Sequence, residues 1–171
     1  MTRKQLTMVV SSLTGNTRAI ANGVRAALES DGWEIQDFEK CGKPADLIAL
    51  CFWCRKSTLD DASRAVLSEL ESRQIICFGT CGGYPDGGYG DRVRSNVTAE
   101  VSARNTCLGV FLSQGKVPLQ RIEKRKQLPL DHPHHLDEAG IARLMESLKH
   151  PNADDIARAV AFAREKLAIV E

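Results

Sequence analysis

The chain has 171 residues, of which 43% are hydrophobic and 26% are charged, and its formal net charge is +1. This composition is typical of one soluble globular domain, and the near-neutral charge argues against a partner held by bulk electrostatics, such as a nucleic acid. No apolar stretch approaches the roughly 20 residues that a membrane-spanning helix needs, and the first residues show no signal-peptide core. We therefore expect a single domain over residues 1–171 that is cytoplasmic and monomeric, with no nucleic-acid or membrane partner.

A hydroxyl-rich turn at residues 11–17 separates the first predicted strand from the first predicted helix. The apolar residues of the strand are Leu6, Met8, Val9 and Val10, and those on one face of the helix are Ile20, Val24 and Leu28. A helix N-terminus has unpaired N–H groups and a favourable dipole for an anion, so this turn predicts a phosphate site. Short side chains that can bond phosphate oxygens are Ser12, Thr14, Asn16 and Thr17.

Gly15 lets the backbone of this turn approach a ligand closely. The turn itself contains no Lys or Arg, so we expect the anion to be held by dipoles. The simpler alternative is that one hydroxyl only caps the helix. Capping needs one such group and the turn supplies several, which favours the phosphate site.

Strand and helix patterns then alternate along the chain. After a helix stop at Asp31-Gly32, residues 33–38 alternate like an edge strand, and three unbroken apolar runs are typical of buried parallel strands: residues 47–52, 75–78 and 107–112. Helical patterns lie between these runs, and a last helix begins near Asn152. The alternation predicts an α/β three-layer sandwich with a five-stranded parallel sheet, for which the order 2-1-3-4-5 is the most economical.

Residues 113–151 form a connection far longer than usual before the last helix. It begins with a basic stretch: Lys116, Arg121, Lys124, Arg125 and Lys126. A short helix follows, with an apolar stripe formed by Ile141, Leu144, Met145 and Leu148. We expect this helix to dock on the body of the domain through that stripe, and the basic stretch is a candidate docking element for an acidic partner.

The turn Ser12-Leu13-Thr14-Gly15-Asn16-Thr17 resembles the phosphate loop of flavodoxins, S/T-x-T-G-x-T, at the first strand–helix turn. It matches neither the nucleotide-triphosphate loop G-x-x-x-x-G-K-[ST] nor the dinucleotide motif G-x-G-x-x-G. The resemblance implies the flavodoxin-like fold, a noncovalently bound FMN, and phosphate contacts from all six residues of the turn. Only this turn is specific at the level of residues; the rest of the resemblance is the pattern of elements.

In flavodoxins the turns after strands 3 and 4 hold the flavin ring, so the resemblance implies further cofactor contacts there. The candidates after strand 3 are Phe52, Trp53, Cys54 and Arg55, and those after strand 4 are Thr80, Cys81, Gly82, Tyr84, Tyr89 and Gly90. We expect Trp53 and one of the two tyrosines to stack on the ring, and the backbone at residues 80–82 to face its polar edge. The alternative is that Trp53 is a core residue at a strand end.

The cysteines and histidines suggest a metal site only weakly. Cys51-x-x-Cys54 and Cys77-x-x-x-Cys81 resemble two halves of a four-thiolate site, but Cys51 and Cys77 fall inside apolar strands. The histidines at 132, 134 and 135 lie among prolines and are typical of a solvated loop. We therefore expect no metal ligand and no catalytic residue.

The function that the resemblance implies is electron transfer: an FMN-binding carrier that passes electrons to or from a partner reductase or oxidase. The alternative is a stand-alone NAD(P)H-dependent reductase of quinones or flavins, for which the long connection would build a wall beside the ring. A third reading keeps the fold without the flavin and leaves an interaction module.

Overall fold

The computed structural model describes residues 4–169, so the predictions for the first three and last two residues lie outside it. The strands are β1 (Gln5–Val10), β2 (Glu34–Asp37), β3 (Leu47–Trp53), β4 (Gln74–Cys81) and β5 (Thr106–Gln114). The helices are α1 (Asn16–Ser30), α2 (Asp61–Glu69), α3 (Gly88–Ser102), α4 (Leu119–Lys126), α5 (Glu138–Ser147) and α6 (Ala153–Leu167). All strand pairs are parallel and the order is β2-β1-β3-β4-β5, which confirms the predicted fold.

The sheet separates two hydrophobic cores. On one face, α1 and α6 pack their apolar residues against β1, β3 and β4. On the other face, α2 and α3 pack against the same central strands and β5. The central strands are buried on both faces, which explains why their sequences are unbroken apolar runs. No helix within residues 4–169 has the length and apolar character to cross a membrane.

The long connection adds a third, smaller core at the edge of the sandwich. Ile122 of α4 and Leu144 of α5 are its buried centre, together with Leu136. The predicted helix is present as α5, but Met145 in its stripe is 42% exposed, so the prediction that this residue docks on the domain is wrong. Helix α4 was not predicted, because its apolar periodicity is hidden in a basic stretch.

A buried carboxylate fixes the start of α6. Asn152 and Asp155 form a capping box, and Asp155 Oδ2 also accepts from Nδ1 of His150 at 2.6 Å. Burial raises the pKa of Asp155, but the hydrogen bonds from His150, the Asn152 backbone and Arg158 outweigh it and hold that pKa below its usual range. The predicted cap at Asn152 is therefore present with a reciprocal partner.

The lowered pKa of Asp155 predicts a pH-dependent contribution to stability. A carboxylate whose pKa is depressed by folding stabilises the protein above the unfolded pKa of about 3.9, and this contribution is lost as the pH falls through the folded value. At pH 7 we expect Asp155→Asn to lower the free energy of unfolding by about 1–2 kcal/mol. The difference from wild type should shrink as the pH falls below about 4, measured by urea unfolding. The exposed neighbour Asp154→Asn is the control, and a difference that stays constant down to pH 3 would contradict this role.

Candidate functional site

A cleft lies where β1, β3, β4 and β5 end at the same edge of the sheet. Parallel strands direct their carboxyl ends to one edge, and the chain reverses direction across the sheet between β1 and β3, which is where ligands bind in such folds. Three segments line the cleft. They are the turn after β1 (Ser12, Leu13, Thr14, Asn16 and Thr17), the ends of β3 and β4 (Trp53, Cys54, Thr80, Cys81 and Gly82), and the segment after β5 (Gly115, Lys116, Val117, Pro118 and Arg121).

The turn after β1 has the local geometry of an anion site. Gly15 adopts a left-handed conformation with φ +94°, and no side chain caps α1 at this position. The space around Gly15 is open, with no heavy atom within 4 Å of where a Cβ would lie. The Oγ of Ser12 accepts from the N–H groups of Gly15 and Arg18, both at 3.2 Å, and so shapes the turn from within. This helix end, whose N-cap residue Gly15 has no side chain and which lies beside the exposed Thr14, fits a phosphate group.

Thr17 plays a structural part in this turn. Its side chain is buried, and its Oγ1 donates to the carbonyl of Phe52 at 3.2 Å and lies 2.7 Å from Oγ1 of Thr80. The hydroxyl therefore ties α1 to the ends of β3 and β4. Its position sets the spacing between the turn and the strand ends.

Asp60 is a positioning residue that the sequence reasoning missed. It is the N-cap of α2, and its buried carboxylate accepts from Ser11 Oγ (2.7 Å), the N–H of Trp53 (3.2 Å), and both the N–H (3.0 Å) and Oγ (2.8 Å) of Ser63. One side chain thus joins the ends of β1 and β3 at the cleft. The capping preference of aspartate before a helix was an available signal, but the contacts to Ser11 and Trp53 were not visible in the sequence.

The segment after β5 forms a wall of the cleft, as the alternative reductase function predicted for the long connection, but Lys116 and Arg121 were not among the predicted cofactor contacts. The N–H of Gly115 donates to the carbonyl of Cys81 at 2.8 Å, and Asn16 Nδ2 donates to the carbonyl of Lys116 at 3.0 Å. A Cβ at Gly115 would lie 2.8 Å from Asn16 Nδ2, so this close approach requires glycine. Lys116 and Arg121 thereby bring positive charge to a cleft whose own phosphate turn contains none.

The predicted ring-side residues divide into two groups. Trp53, Cys54, Thr80, Cys81 and Gly82 line the cleft. The others lie outside its lining: Phe52 is fully buried in the core, Arg55 forms an ion pair with Asp61, Gly90 is buried within α3, and Tyr84 and Tyr89 are 46% and 36% exposed. Tyr89 packs over Gly83, where a Cβ would approach its ring to 2.7 Å.

The cysteines are not arranged as the sequence spacing suggested. Cys51 faces the core under α1 and α6, whereas Cys77 faces the core under α2 and α3, so the two cannot belong to one thiolate cluster. Burial raises the pKa of Cys51 to about 12. Within residues 4–169 no group of three or more His, Cys, Asp or Glu side chains is placed to hold a metal ion.

Comparison with known proteins identifies the family. The family model described as a flavodoxin domain matches residues 7–164. The flavodoxin-like domain-containing protein BilS of Clostridioides difficile is 29% identical over 168 residues, covering 94% of each chain, and BilS of Clostridium symbiosum is 27% identical over 173 residues, covering 88% of this chain and 89% of the other.

A solved structure, oxidised flavodoxin 2 from Bacillus cereus, is 15% identical with a TM-score of 0.49, covering 95% of this chain and 99% of that one. The family match spans most of the chain and includes the phosphate turn and both ring-side strand ends. The resemblance predicted from residues 12–17 is confirmed: this chain belongs to the flavodoxin domain family.

Proposed function

We propose that this chain binds FMN in the cleft and transfers electrons between it and a partner oxidoreductase. The observation that carries the proposal is the N-terminus of α1, which follows the αL N-cap Gly15 and lies in the same cleft that Trp53 lines. An anion site continuous with an aromatic surface suits a ligand with a phosphate at one end and a planar ring at the other. Membership of the flavodoxin domain family supports FMN as that ligand.

The residues of the cleft have distinct parts in this proposal. The turn at residues 12–17 donates to the phosphate, with Lys116 and Arg121 adding positive charge. Trp53 offers a stacking surface, and the backbone of residues 80–82 lies where the polar edge of the ring would be held. FMN supplies the redox chemistry when bound, and the protein orients it and limits its contact with water. Hydrogen bonds made by Asp60 and Thr17 hold the turn after β1 in a fixed position relative to the end of β3.

The proposal is tested by comparing FMN with riboflavin, which has the same ring and no phosphate. We expect wild type to bind FMN at least about 100-fold more tightly than riboflavin, because charge-assisted phosphate contacts contribute about 3 kcal/mol together. Lys116→Gln should weaken FMN binding several-fold and leave riboflavin binding unchanged. The measurement is quenching of flavin fluorescence on titration with protein.

Lys56→Gln is the matched control, because Lys56 is exposed and does not line the cleft. Equal affinities for FMN and riboflavin would remove the phosphate site from the proposal. Failure to bind either flavin would overturn the proposed function as a whole and favour an interaction module.

A stand-alone NAD(P)H-dependent quinone or flavin reductase remains a second candidate, and one observation favours it. The segment after β5 forms a wall of the cleft. A stand-alone reductase would need such a wall beside the flavin ring. A purified carrier should oxidise NADPH only slowly without a partner protein, and should be reduced in two separate one-electron steps. Rapid partner-free oxidation of NADPH by the FMN-loaded protein would instead establish the reductase.

The proposed docking element is the basic face of α4. Arg121 and Lys124 are exposed on this helix beside the cleft, so they attract an anionic partner at low salt. We expect the double variant Arg121→Gln, Lys124→Gln to reduce the rate of reoxidation by ferricyanide roughly 5-fold at low ionic strength and to flatten its salt dependence. Stopped-flow absorbance measures this rate. A neutral quinone acceptor and the exposed Lys149→Gln variant are the controls, and an unchanged ferricyanide rate would exclude this docking role.

A further inference from the structure

Two cysteines from different strands meet in the wall of the cleft. Cys81 is the last residue of β4, and Cys54 directly follows β3. The register pairs Trp53 with Thr80, and the N–H of Cys54 donates to the carbonyl of Thr80 at 2.8 Å, so Cys54 and Cys81 are the next pair along the two strands. Side chains paired in this way point to the same face of a sheet.

The strand spacing at this pair is compatible with a disulfide bond. Neighbouring strands lie about 4.7–4.9 Å apart, and a disulfide requires Cα atoms about 4.4–6.8 Å apart with their Cβ atoms directed toward each other. The Cα separation that this strand pairing implies therefore falls within the range that a disulfide spans. Both cysteines line the cleft, so a small molecule that enters it can contact them.

The two thiols also influence each other directly. Hydrogen bonding to Cys81 and burial raise the pKa of Cys54, while the same contact from Cys54 lowers the pKa of Cys81. The positive charge of Arg94 adds to the lowering at Cys81. The two thiols are therefore unequal, with the lower pKa at Cys81.

A second cysteine pair, Cys77 and Cys107, also shares a thiol–thiol hydrogen bond. It lacks the direct strand pairing and the position in the cleft, and it therefore serves as an internal comparison. Cys107 of β5 lies opposite Ile75, two positions from Cys77 on β4, with a bulge between. A hydrogen bond from Cys77 lowers the pKa of Cys107 to about 6. However, Cys77 is fully buried and neither residue lines the cleft, so the offset and the burial both disfavour a bond between them.

We propose that Cys54 and Cys81 are a redox-active dithiol that closes to a disulfide in the wall of the cleft, with low-molecular-weight disulfides of the glutathione class as its oxidant. The Cys81 thiolate attacks one sulfur of glutathione disulfide, which breaks that S–S bond and releases one glutathione thiolate. Cys54 then loses its proton and attacks the Cys81 sulfur of the mixed disulfide, which forms the Cys54–Cys81 bond and releases the second glutathione. Two protein thiols are oxidised, one glutathione disulfide is reduced, and the two protons pass to the released thiolates.

The test counts free thiols in the full chain after equilibration with glutathione disulfide. The chain contains six cysteines, so alkylation in denaturant followed by mass spectrometry should find a fall from six free thiols to four, with loss of two hydrogens and no added glutathione. Peptide mapping should identify the Cys54–Cys81 bond. No bond between these residues, or stable glutathione adducts in its place, would overturn the proposal.

Two variants sharpen this result. Cys54→Ser should stop at the mixed disulfide, with one glutathione retained on Cys81, whereas Cys107→Ser should close the Cys54–Cys81 bond as wild type does. Retention of glutathione on Cys81 by the Cys107→Ser variant would contradict the assigned pair. Because the reaction requires no flavin, the thiols can also be counted in a protein that fails to bind FMN. Closure of the bond in a protein that fails to bind FMN would leave this inference intact and overturn only the proposed function.

Discussion

Replacing Asp60 with alanine is expected to lower the free energy of unfolding by about 3 kcal/mol, through loss of a helix cap and of buried hydrogen bonds. The carboxylate is only 1% exposed and accepts from Ser11, Trp53 and both donors of Ser63. Alanine leaves these buried donors without an acceptor, and the cost of that exceeds the loss of the cap alone. Urea unfolding followed by circular dichroism measures the change.

The matched control is Asp137→Ala. Asp137 is also an aspartate N-cap, but in the structure its side chain accepts only from the N–H of Gly140, at 2.7 Å. Its loss should cost about 1 kcal/mol, as for an ordinary cap. Equal losses for the two variants would show that the contacts of Asp60 beyond its cap contribute nothing. Asp60→Ala should also weaken FMN binding, because the backbone of Trp53 loses its anchor.

Gly90→Ala is expected to destabilise the protein by about 3 kcal/mol, at the upper end of the usual cost of overpacking. A Cβ at Gly90 would lie 1.8 Å from the carbonyl oxygen of Pro85. This neighbour is backbone, so relief requires movement of the loop between β4 and α3, which follows directly from the cleft residues Cys81 and Gly82. We therefore expect weaker FMN binding as well, measured by flavin fluorescence beside the urea unfolding curve.

Gly88→Ala in the same helix separates steric conflict from the intrinsic preference of a helix for alanine. A Cβ at Gly88 meets no heavy atom within 4 Å, and alanine is favoured over glycine in helices by up to about 1 kcal/mol. This variant should be as stable as wild type or slightly more stable. Destabilisation of both variants to the same extent would show that the close approach to Pro85 is not the cause.

The fold and the position of the turn at residues 12–17 could be predicted because their signals are local. Unbroken apolar runs identify strands covered on both faces, and a polar turn between a strand and a helix identifies an anion site without knowledge of the rest of the chain. The five-stranded order is confirmed by the register of the strands. The turn at residues 12–17 lies in the cleft and, apart from Gly15, contributes directly to its lining.

The other parts of the site depend on contacts between distant segments. Lys116 reaches the cleft because its carbonyl accepts from Asn16, one hundred positions earlier in the chain. The Thr17 hydroxyl lies next to the hydroxyl of Thr80, which comes close to it only when the sheet has formed. The spacing of the cysteines suggested Cys51 with Cys54 and Cys77 with Cys81 as pairs. Cys54 instead lies next to Cys81 because of the strand register, which the spacing along the chain does not reveal.

The contact between Asn16 and Lys116 joins the turn after β1 to the start of the long connection. A phosphate that contacted both the turn at residues 12–17 and the cations after β5 would join these two segments more firmly. Anything that binds only the joined arrangement stabilises it by mass action. We therefore expect ligand binding to raise the resistance of the small core of α4 and α5 to proteolysis and to amide hydrogen exchange.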